Sequence, residues 1–375
     1  MPKLMVLHIA NTYLPKLDGV SMVVKNISEK LVKRGHIVNV ATLSIPNTPS
    51  KETINGVLIH RFDLNSKNGR KNDIENIKRL FSDKWDIICV HAAACTMTNT
   101  LIDYLDLVKA KLIFVAHGLR FWKDPANIIQ YDKLGKALKR FDATVALAKN
   151  LVENEFYNKY RLPPPVIIPN GVDVDEFSGP LLGVRNSWRI GNLPWVLNVS
   201  NHTKQKGHSC LNKLAIKLKR DGIALTNIGN YHLINKYGMW RLGLKGGCFY
   251  SCLFKSAILN TVILKVNLPR QMICSAYREA NVFVLTSNFE AFPIVILEAM
   301  AAGLPWVSFN VGILEELRGG VIVNNLEDMH LVIKDLLGMP DKAKALGEEG
   351  RREVLEKYSW EKIVSQYEEL YYSLL

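Results

Sequence analysis

Short apolar runs alternate with amphipathic helical segments twice along the chain, and this repeated alternation most constrains the fold. Several runs, such as 87–91 and 112–116, are almost continuously apolar, which is typical of parallel strands covered on both faces. The strands predicted for the first block are 3–9, 37–43, 57–61, 87–91, 112–116, 143–146 and 166–168. Together with helical patterns such as 20–34, they predict a doubly wound α/β domain.

A second block of the same kind follows a segment rich in Gly, Pro, Asn and Ser at 178–194, which we interpret as a linker. The strands predicted after it are 195–199, 223–228, 262–264, 282–285, 305–308 and 321–323. A chain of 375 residues exceeds what one hydrophobic core usually serves. The predicted fold class is α/β, with two doubly wound Rossmann-like domains facing an interdomain cleft, where ligands would bind at the carboxyl ends of strands.

Composition narrows the class of protein. A hydrophobic content of 48% with 22% charged residues argues against disorder, collagen and coiled coil. No apolar run approaches the length of a bilayer span, and the amino terminus resembles a buried strand more than a signal peptide. Six irregularly spaced cysteines do not indicate a disulfide framework. We therefore expect a cytoplasmic protein.

The net charge of +13 favours an anionic partner, such as a nucleotide, a nucleic acid or an acidic lipid surface. The excess is spread along the chain, so a merely solvated surface explains it equally well. The basic amphipathic stretch 132–140 would suit an anionic membrane, and a solvated helix face is the alternative.

The most informative segment is 287–305, which predicts a strand end, a loop carrying Glu290 and then a helix. Pro293 falls where helices accept proline, in the first turn. The amides of Ile294 and Val295 would then be unpaired and form an anion site. Glu298 follows one turn later, where its carboxylate would accept hydrogen bonds from a diol. A sugar–phosphate–ribose ligand suits this pattern, and a capped helix with two solvated glutamates is the alternative.

The pair Glu290-x7-Glu298 resembles the donor-binding signature of retaining glycosyltransferases of the GT-B fold, family 4 (glycosyl transferases group 1). Other segments resemble that family in the same order along nearly the whole chain. They are the glycine loop 11–20, the helix end 33–38, the histidine segment 114–118, the interdomain turn 169–177, the Lys-Gly-His at 206–208 and the Tyr-Ser-Trp at 358–360. Each motif is weak alone, and the complete series is specific.

The resemblance implies a role for each matching residue. Glu298 would hold the ribose hydroxyls, and Glu290 would contact the transferred sugar near the reacting centre. Lys206 would neutralise the diphosphate, and the loop at Gly19 would let the backbone approach the phosphates. His117 would lie near the sugar and the acceptor, so that Glu290 and His117 are the candidate catalytic residues.

Further implications concern the donor site and the domains. Donor contacts are expected from Phe292, Pro293, Ile294 and Val295. Residues 1–178, joined by a closing helix at 360–375, would form the acceptor-side domain, and residues 179–359 would bind the nucleotide-sugar.

The implied reaction is hexosyl transfer with retention of configuration, without a metal or a cofactor, because the nucleotide-sugar is itself a substrate. The expected acceptor is a glycan or a lipid-linked molecule, as in polysaccharide biosynthesis. Peripheral contact with an anionic membrane at the inner face is a further expectation, and no stable nucleic-acid partner is expected.

Three positions depart from the family pattern. The family usually has an arginine five or six residues before the lysine, where this chain has Asn201 and Ser200. Lys204 would replace it as a point charge without the bidentate geometry of arginine. The first loop has Asp18 where a glycine is common, and Ala291 follows Glu290 where a glycine is frequent.

Several metal-like signals are interpreted as structural. Asp173-Val-Asp175 resembles a manganese-binding string, but it lies in the predicted interdomain turn. Cys248 and Cys252 lack a second ligand pair, so a zinc site is not expected, and the segment 231–260 matches no family element. His91 either lines the cleft or is a satisfied core histidine.

Other functions stay open at this point. A phosphorylase or a nucleotide-sugar epimerase would use the same fold. A nucleic-acid-associated protein or a transferase with a DNA acceptor would use the positive charge, although no aromatic-interleaved basic stripe or zinc-finger motif is present. A catalytically inactive nucleotide- or glycan-binding relic would explain the missing arginine. The sequence does not indicate the base, sugar, acceptor or oligomeric state.

Overall fold

The structure, a computed structural model, describes residues 2–149, 153–229, 252–253, 256 and 262–375. Its internal packing divides the chain into two compact units. Unit 1 comprises Met1–Asn170 and Trp360–Leu375, and unit 2 comprises Gly171–Ser359. Each unit contains one predominantly parallel sheet, which confirms the predicted α/β class.

The sheet of unit 1 has the strand order β3-β4-β2-β1-β5-β6-β7-β8. All its pairs are parallel except β3 with β4. The strands are β1 (Met5–Ile9), β2 (Ile37–Leu43), β3 (Lys51–Ile54), β4 (Val57–Phe62), β5 (Ile87–His91), β6 (Lys111–Val115), β7 (Ala143–Ala146) and β8 (Val166–Ile167). The helices are α1 (Gly19–Lys33), α2 (Lys67–Ser82), α3 (Thr96–Asp103), α4 (Ile128–Ala137) and α5 (Glu153–Tyr160).

Strand β3 was not predicted, and a recognisable turn signal accompanies it. Asn55-Gly56 joins β3 to β4, with φ of 50° at Asn55 and 81° at Gly56. Two consecutive positive φ values are what a tight hairpin turn requires, and Asn-Gly is the dipeptide that adopts them most readily. The sequence signal for this antiparallel hairpin is therefore its turn dipeptide, whereas the signal for the predicted strands is their apolar runs.

The sheet of unit 2 has the order β11-β10-β9-β12-β13-β14, and all its pairs are parallel. Its strands are β9 (Trp195–Val199), β10 (Ala224–Ile228), β11 (Ile263–Lys265), β12 (Val282–Leu285), β13 (Trp306–Phe309) and β14 (Gly320–Val323). The helices are α6 (Val184–Ser187), α7 (His208–Arg220), α8 (Arg270–Glu279), α9 (Ile294–Ala301), α10 (Leu326–Gly338) and α11 (Pro340–Glu353).

The boundary between the units lies at Asn170, before the position 178 expected from the sequence. The backbone N–H of Val172 donates to the carbonyl of Tyr358 at 2.8 Å, and the Phe177 ring packs against Tyr277 with centroids 5.8 Å apart. These contacts bind the turn 171–178 to unit 2. The division of roles between an acceptor-side and a donor-side domain stays a prediction.

The segment 178–194, predicted as a linker, also packs within unit 2. The N–H of Val184 and that of Arg185 each donate to the Glu279 carboxylate, at 3.0 and 2.9 Å. The Arg185 guanidinium donates to the carbonyls of Gly191 and Leu193. Because these bonds fasten a glycine-rich segment to α8, its composition reflects tight turns and not a free tether.

The final helix α12 (Trp360–Leu374) belongs to unit 1 and presents the predicted apolar stripe to it. The stripe residues Trp360, Tyr367, Leu370 and Tyr371 are all buried. At the helix edge, the Glu368 carboxylate accepts from Arg34 at 2.8 Å, and His36 Nε2 lies 2.7 Å from it. Apolar burial and charge pairing thus hold α12 against α1 and the residues that follow it.

None of the helices in the described ranges is both long and apolar enough to cross a bilayer. Three of the four cations in the basic stretch 132–140 have local carboxylate partners. Lys133 pairs with Asp103, Lys136 with Asp132 at 2.6 Å, and Arg140 with Asp106 at 2.6 Å. Because these carboxylates offset most of the positive charge of the stretch, charge gives less support to membrane contact than the sequence suggested.

We predict that Glu368→Gln lowers the free energy of unfolding at pH 7 by about 1–2 kcal/mol. Burial opposes ionisation of Glu368, but hydrogen bonds from His36 and Arg34 outweigh it and lower the pKa of the carboxyl. A lowered pKa stabilises the fold while the group is ionised, so the difference from wild type should shrink as the pH falls through the ordinary titration range of glutamate and vanish below the lowered pKa. Urea unfolding over a pH series measures this. Exposed Glu369→Gln is the control, and an equal effect there would contradict the prediction.

Candidate functional site

In unit 2 the strand order reverses between β9 and β12, which are neighbours although β10 and β11 intervene in sequence. At such a switch point the loops after the two strands lead away from each other and leave a crevice at their carboxyl ends. The loop after β9 carries Lys204 and Lys206, and the loop after β12 carries Glu290. The topology therefore brings together residues that the sequence places more than 80 positions apart.

Lys206 and Glu290 form an ion pair, with Nζ 2.6 Å from Oε1. Ser287 Oγ donates to the same carboxylate oxygen at 2.7 Å. The side chain of Glu290 is 12% exposed and that of Lys206 is 26% exposed. Both groups are therefore held in place, and Lys206 stays partly accessible to solvent. The site therefore presents a fixed cation beside a fixed carboxylate.

A glycine allows the two loops to touch. Gly207 has φ of 64°, and a Cβ at this position would lie 1.8 Å from the carbonyl oxygen of Thr286. The N–H of Asn288 donates to the Gln205 carbonyl at 2.8 Å, which fastens the loops together. Any side chain at 207 would push the loops apart, so the glycine in the predicted Lys-Gly-His motif has a steric role in placing Lys206.

Helix α9 begins immediately after this loop, with Pro293 as its N-cap residue. Pro293 has no side chain able to cap the first amides, and no side-chain cap bond is made there. Ile294 and Val295 are half-buried, whereas Phe292 and Pro293 are buried. The first turn of α9 is thus shaped by apolar side chains and offers its amides as donors, as the sequence predicted.

Glu298, one turn into α9, is buried and has both carboxylate oxygens engaged. Arg270 Nη1 lies 2.6 Å from Oε1, and Tyr277 OH donates to Oε2 at 2.9 Å. Arg270 also donates to Glu176 from Nε and Nη2, at 2.9 and 2.7 Å. These partners fix the orientation of the Glu298 carboxylate.

The two partners of Glu298 have pKa values that are shifted by burial and by neighbouring charges. Burial and then the adjacent Glu298 carboxylate raise the pKa of Tyr277 well above its ordinary value, so its hydroxyl stays protonated and donates. Burial lowers the pKa of Arg270, but Glu298 and Glu176 outweigh it and raise the pKa overall. The guanidinium therefore stays charged at every pH at which the protein folds.

Ser200 and Asn201, at the positions where the family usually has an arginine, carry neutral polar side chains. Ser200 is buried and donates to Asn198 Oδ1 at 2.7 Å, and the Asn201 carbonyl lies 3.1 Å from His208 Nε2. Lys204 is exposed, and in the described part of the chain it has no carboxylate within 4.0 Å. Lys206 is thus the cation of this loop that a carboxylate holds in place, whereas the Lys204 side chain is exposed to solvent.

In unit 1, Gly19 is the first residue of α1, and Asp18 caps that helix. The Asp18 carboxylate accepts from the Ser21 N–H at 2.9 Å and from Thr12 Oγ1 at 2.6 Å. A Cβ at Gly19 would meet no heavy atom within 4 Å. The departure from paired glycines therefore supplies a helix cap, and the space over Gly19 is open.

His117 lies in a left-handed turn directly after β6, with φ of 51°. Its Nε2 is 3.0 Å from Nδ1 of His91, and Nε2 of His91 is 2.9 Å from Nδ1 of His8. Positive φ at a non-glycine residue costs conformational energy, and such strain is common at functional sites. The structure thus identifies His91 as a core histidine whose ring also contacts the candidate residue His117.

Within unit 2 the structure brings Lys206, Glu290 and the first turn of α9 to one switch point, with Glu298 one turn along. His117 and Gly19 belong to unit 1. The sequence analysis missed Ser287, Arg270 and Tyr277. Their spacing carries weak signals at best, because Ser287 is three residues before Glu290 and Tyr277 is two helical turns after Arg270.

Two clusters of metal-capable side chains occur in the described residues: His8, Cys89 and His91, and His202, His208 and Cys252. The histidines of the first cluster are hydrogen-bonded to each other, and His208 of the second is hydrogen-bonded to its own loop. Asp173 and Asp175 belong to neither, and Asp173 accepts from the Asp175 N–H at 3.2 Å. Cys248 lies outside the described residues. The absence of a metal requirement stays a prediction.

A cavity of about 510 Å³ lies beside α8, apart from the side chains predicted to bind the donor. Its lining residues are Glu176, Gly179, Pro180, Leu182, Arg270, Gln271, Cys274, Ser275 and Arg278. Arg270 both lines this cavity and pairs with Glu298, so its guanidinium lies between the cavity and the buried carboxylate.

We predict that Arg270→Met lowers the free energy of unfolding by about 1–3 kcal/mol, because it leaves the buried Glu298 carboxylate without its counter-charge. Glu298→Gln in the same chain should restore part of the loss. Denaturant titrations of the two single variants and the double variant measure the coupling. Arg278→Met, on the same helix and away from Glu298, is the matched control, and losses as large there would refute the pairing.

Comparison with known proteins supports the same architecture. The family model for glycosyl transferases group 1 matches residues 185–353, and that for glycosyltransferase family 4 matches residues 17–176. An uncharacterized glycosyltransferase of Methanocaldococcus jannaschii is 25% identical over 391 aligned positions, which cover 94% of each chain.

Two solved structures share the fold. Sucrose-phosphate synthase from Thermosynechococcus elongatus superposes with a TM-score of 0.81 at 20% identity, over 98% of both chains. HepE of Anabaena, solved in complex with UDP-glucose, superposes with a TM-score of 0.79 at 14% identity, over 99% of this chain and 100% of that one. Since the two family models together extend over both units, the chain belongs to the glycosyltransferases of the group 1 and family 4 type, with the GT-B fold.

Proposed function

We propose that this glycosyltransferase moves a hexosyl group from a nucleoside-diphosphate sugar to a glycan or lipid-linked acceptor, with retention of configuration and without a metal ion. The observation that carries the proposal is the Lys206–Glu290 pair at the switch point of unit 2, beside the uncapped start of α9. HepE, which has the same fold, was solved with UDP-glucose, and that supports a nucleotide-sugar as the donor.

In this proposal the diphosphate lies against Lys206 and the amides of Ile294 and Val295. Negative charge grows on the diphosphate as the bond to the sugar breaks, so donors already in place stabilise the transition state. One such donor is worth on the order of 3 kcal/mol. Lys206 serves well because its pair with Glu290 holds the ammonium in position before the donor binds. Exposed Lys204 adds a second positive charge, whose contribution is smaller because solvent screens it.

Glu290 and Glu298 have different tasks. The Glu290 carboxylate accepts hydrogen bonds from hydroxyls of the transferred sugar, while Lys206 and Ser287 fix its direction. Glu298 accepts from the ribose hydroxyls through lone pairs that Arg270 and Tyr277 leave available. Because the partners of both carboxylates are in place, little reorganisation is needed when the donor binds.

Transfer with retention follows if the acceptor hydroxyl attacks the face that the diphosphate leaves. The acceptor oxygen forms the new bond to the anomeric carbon, the bond to the phosphate oxygen breaks, and the acceptor proton passes to that phosphate oxygen. We assign acceptor binding to unit 1, which carries His117 and the open space over Gly19. Membrane contact of a lipid-linked acceptor would then rest more on the exposed Ile128 and Ile129 than on paired lysines.

We predict that Lys206→Ala lowers turnover about a hundredfold or more, the effect of losing one charge-stabilising donor. The measurement is nucleotide release from UDP-, GDP-, ADP- and TDP-sugars, with EDTA present and with and without glycan acceptors. Lys204→Ala should lower turnover less than Lys206→Ala, and exposed Lys213→Ala, on α7, should match wild type.

Near-native turnover of Lys206→Ala would remove that residue from the proposed role. A requirement for metal, seen as loss of activity in EDTA, would contradict the metal-independent mechanism. Binding of a donor without turnover for any acceptor would favour the inactive relic.

A further inference from the structure

Three imidazole rings form a continuous hydrogen-bonded chain inside unit 1. His8 Nδ1 lies 2.9 Å from His91 Nε2, and His91 Nδ1 lies 3.0 Å from His117 Nε2. His8 and His91 are fully buried, whereas His117 is half-buried. The proposed transfer reaction uses only the last ring, so the two inner histidines need an explanation of their own.

The strand register of the sheet explains why the three histidine rings lie in a row. In the parallel pair of β1 with β5, His8 is opposite Cys89, and His91 is two residues further along β5 on the same face. In the pair of β5 with β6, His91 is opposite Val115, two residues before His117. Each step of the chain therefore crosses from one strand to its neighbour, toward the carboxyl end of the sheet where ligands bind.

All three rings are neutral at physiological pH. Burial lowers the pKa of His8 to about 3 and that of His117 to about 4, although Asp18 opposes the shift at His117. Burial and the neighbouring histidines lower the pKa of His91 well below its ordinary value. A neutral imidazole has one N–H and one bare nitrogen, so His91 can donate at only one of its two contacts. Both hydrogen bonds must consequently run in the same direction.

The inner end of the chain selects that direction. His8 Nε2 is buried and has no hydrogen-bond partner in the described part of the structure. If the bonds ran inward, this atom would be an N–H donor without an acceptor. If they run outward, it is a bare nitrogen, and an unpaired buried donor is the rarer case in folded proteins. The outward direction gives His8 Nδ1–H to His91, His91 Nδ1–H to His117, and a proton on Nδ1 of His117.

We propose that His8 and His91 are positioning residues that fix His117 as the neutral Nδ1–H tautomer, whose free N–H donates to a substrate oxygen. His117 then acts as a hydrogen-bond donor and takes no proton from the acceptor. This agrees with transfer of the acceptor proton to the departing phosphate. The contact of His117 with a substrate oxygen rests on the proposed function, whereas the assignment of its tautomer does not.

The tautomer is measured directly by long-range ¹H–¹⁵N correlation spectra of the full chain labelled with ¹⁵N-histidine, with His117→Gln for assignment. The expected spectrum shows a protonated Nδ1 and a bare Nε2 at His117, and the same at His91 and His8. A proton on Nε2 of His117, or a mixture of tautomers, would overturn the inference.

Two isosteric variants of His91 test the link to turnover. The amide of Asn reaches the place of Nδ1, and the amide of Gln reaches the place of Nε2. His91→Asn should therefore keep a donor to His117, whereas His91→Gln should lose it. We expect His91→Gln to lower kcat about tenfold with little change in donor KM, which corresponds to about 1.4 kcal/mol, the loss of one hydrogen bond. His91→Asn should stay within about threefold of wild type.

Controls separate this inference from the proposed function. Melting temperatures of both variants exclude a general loss of folding, and equal kcat values in folded His91→Asn and His91→Gln would overturn the positioning role. Wild-type turnover of His117→Ala would instead refute the role of His117 in the reaction, whatever its tautomer. A further outcome would also overturn the inference: a stoichiometric metal ion in the purified protein that is lost in His8→Asn. A metal between His8 and His91 would replace their hydrogen bond.

Discussion

The reversal of strand order in the parallel sheet of unit 2 is the constraint on which the candidate donor site depends. Between β9 and β12 it leaves two loops at one edge, and the missing side chain of Gly207 lets them touch. Lys206 and Glu290 then meet at 2.6 Å although they are distant in sequence. Without the reversal, the two charged groups would be on separate loops facing solvent, and neither would be held.

The site is organised by paired charges. Glu290 has Lys206 and Ser287 as partners, and Glu298 has Arg270 and Tyr277. A carboxylate held in this way accepts hydroxyl hydrogen bonds in a fixed direction and pays little conformational entropy on binding. The three histidines of unit 1 follow the same principle with neutral groups, since two fully buried rings fix the proton position of a half-buried one.

The sequence predicted the elements better than their connections. Apolar runs located every strand of both sheets except β3, and the Glu290-x7-Glu298 spacing placed two carboxylates and a helix start together. The hairpin at Asn55-Gly56 was missed because the analysis weighed apolar runs above turn dipeptides. The glycine-rich segment 178–194 was taken for a linker, since composition does not reveal that Arg185 fastens it to α8.

The partners of the predicted residues could not be read from the sequence for a physical reason. Arg270 and Tyr277 approach Glu298 only because α8 and α9 pack side by side, and helix packing depends on the whole sheet beneath. The same holds for His8 and His91, whose ring contacts depend on strand register. Motif spacing reports local geometry, whereas these contacts join elements that are far apart in the chain.

Calorimetric binding of nucleoside diphosphates tests the central claim most directly, because it measures the donor site without any acceptor. The account predicts that wild type binds one of UDP, GDP, ADP or TDP, and that Glu298→Ala weakens this binding at least about tenfold through lost ribose hydrogen bonds. Glu327→Ala, which removes an exposed partner of Lys217, should bind like wild type. Equal binding by Glu298→Ala, or no binding of any nucleotide by wild type, would contradict the account.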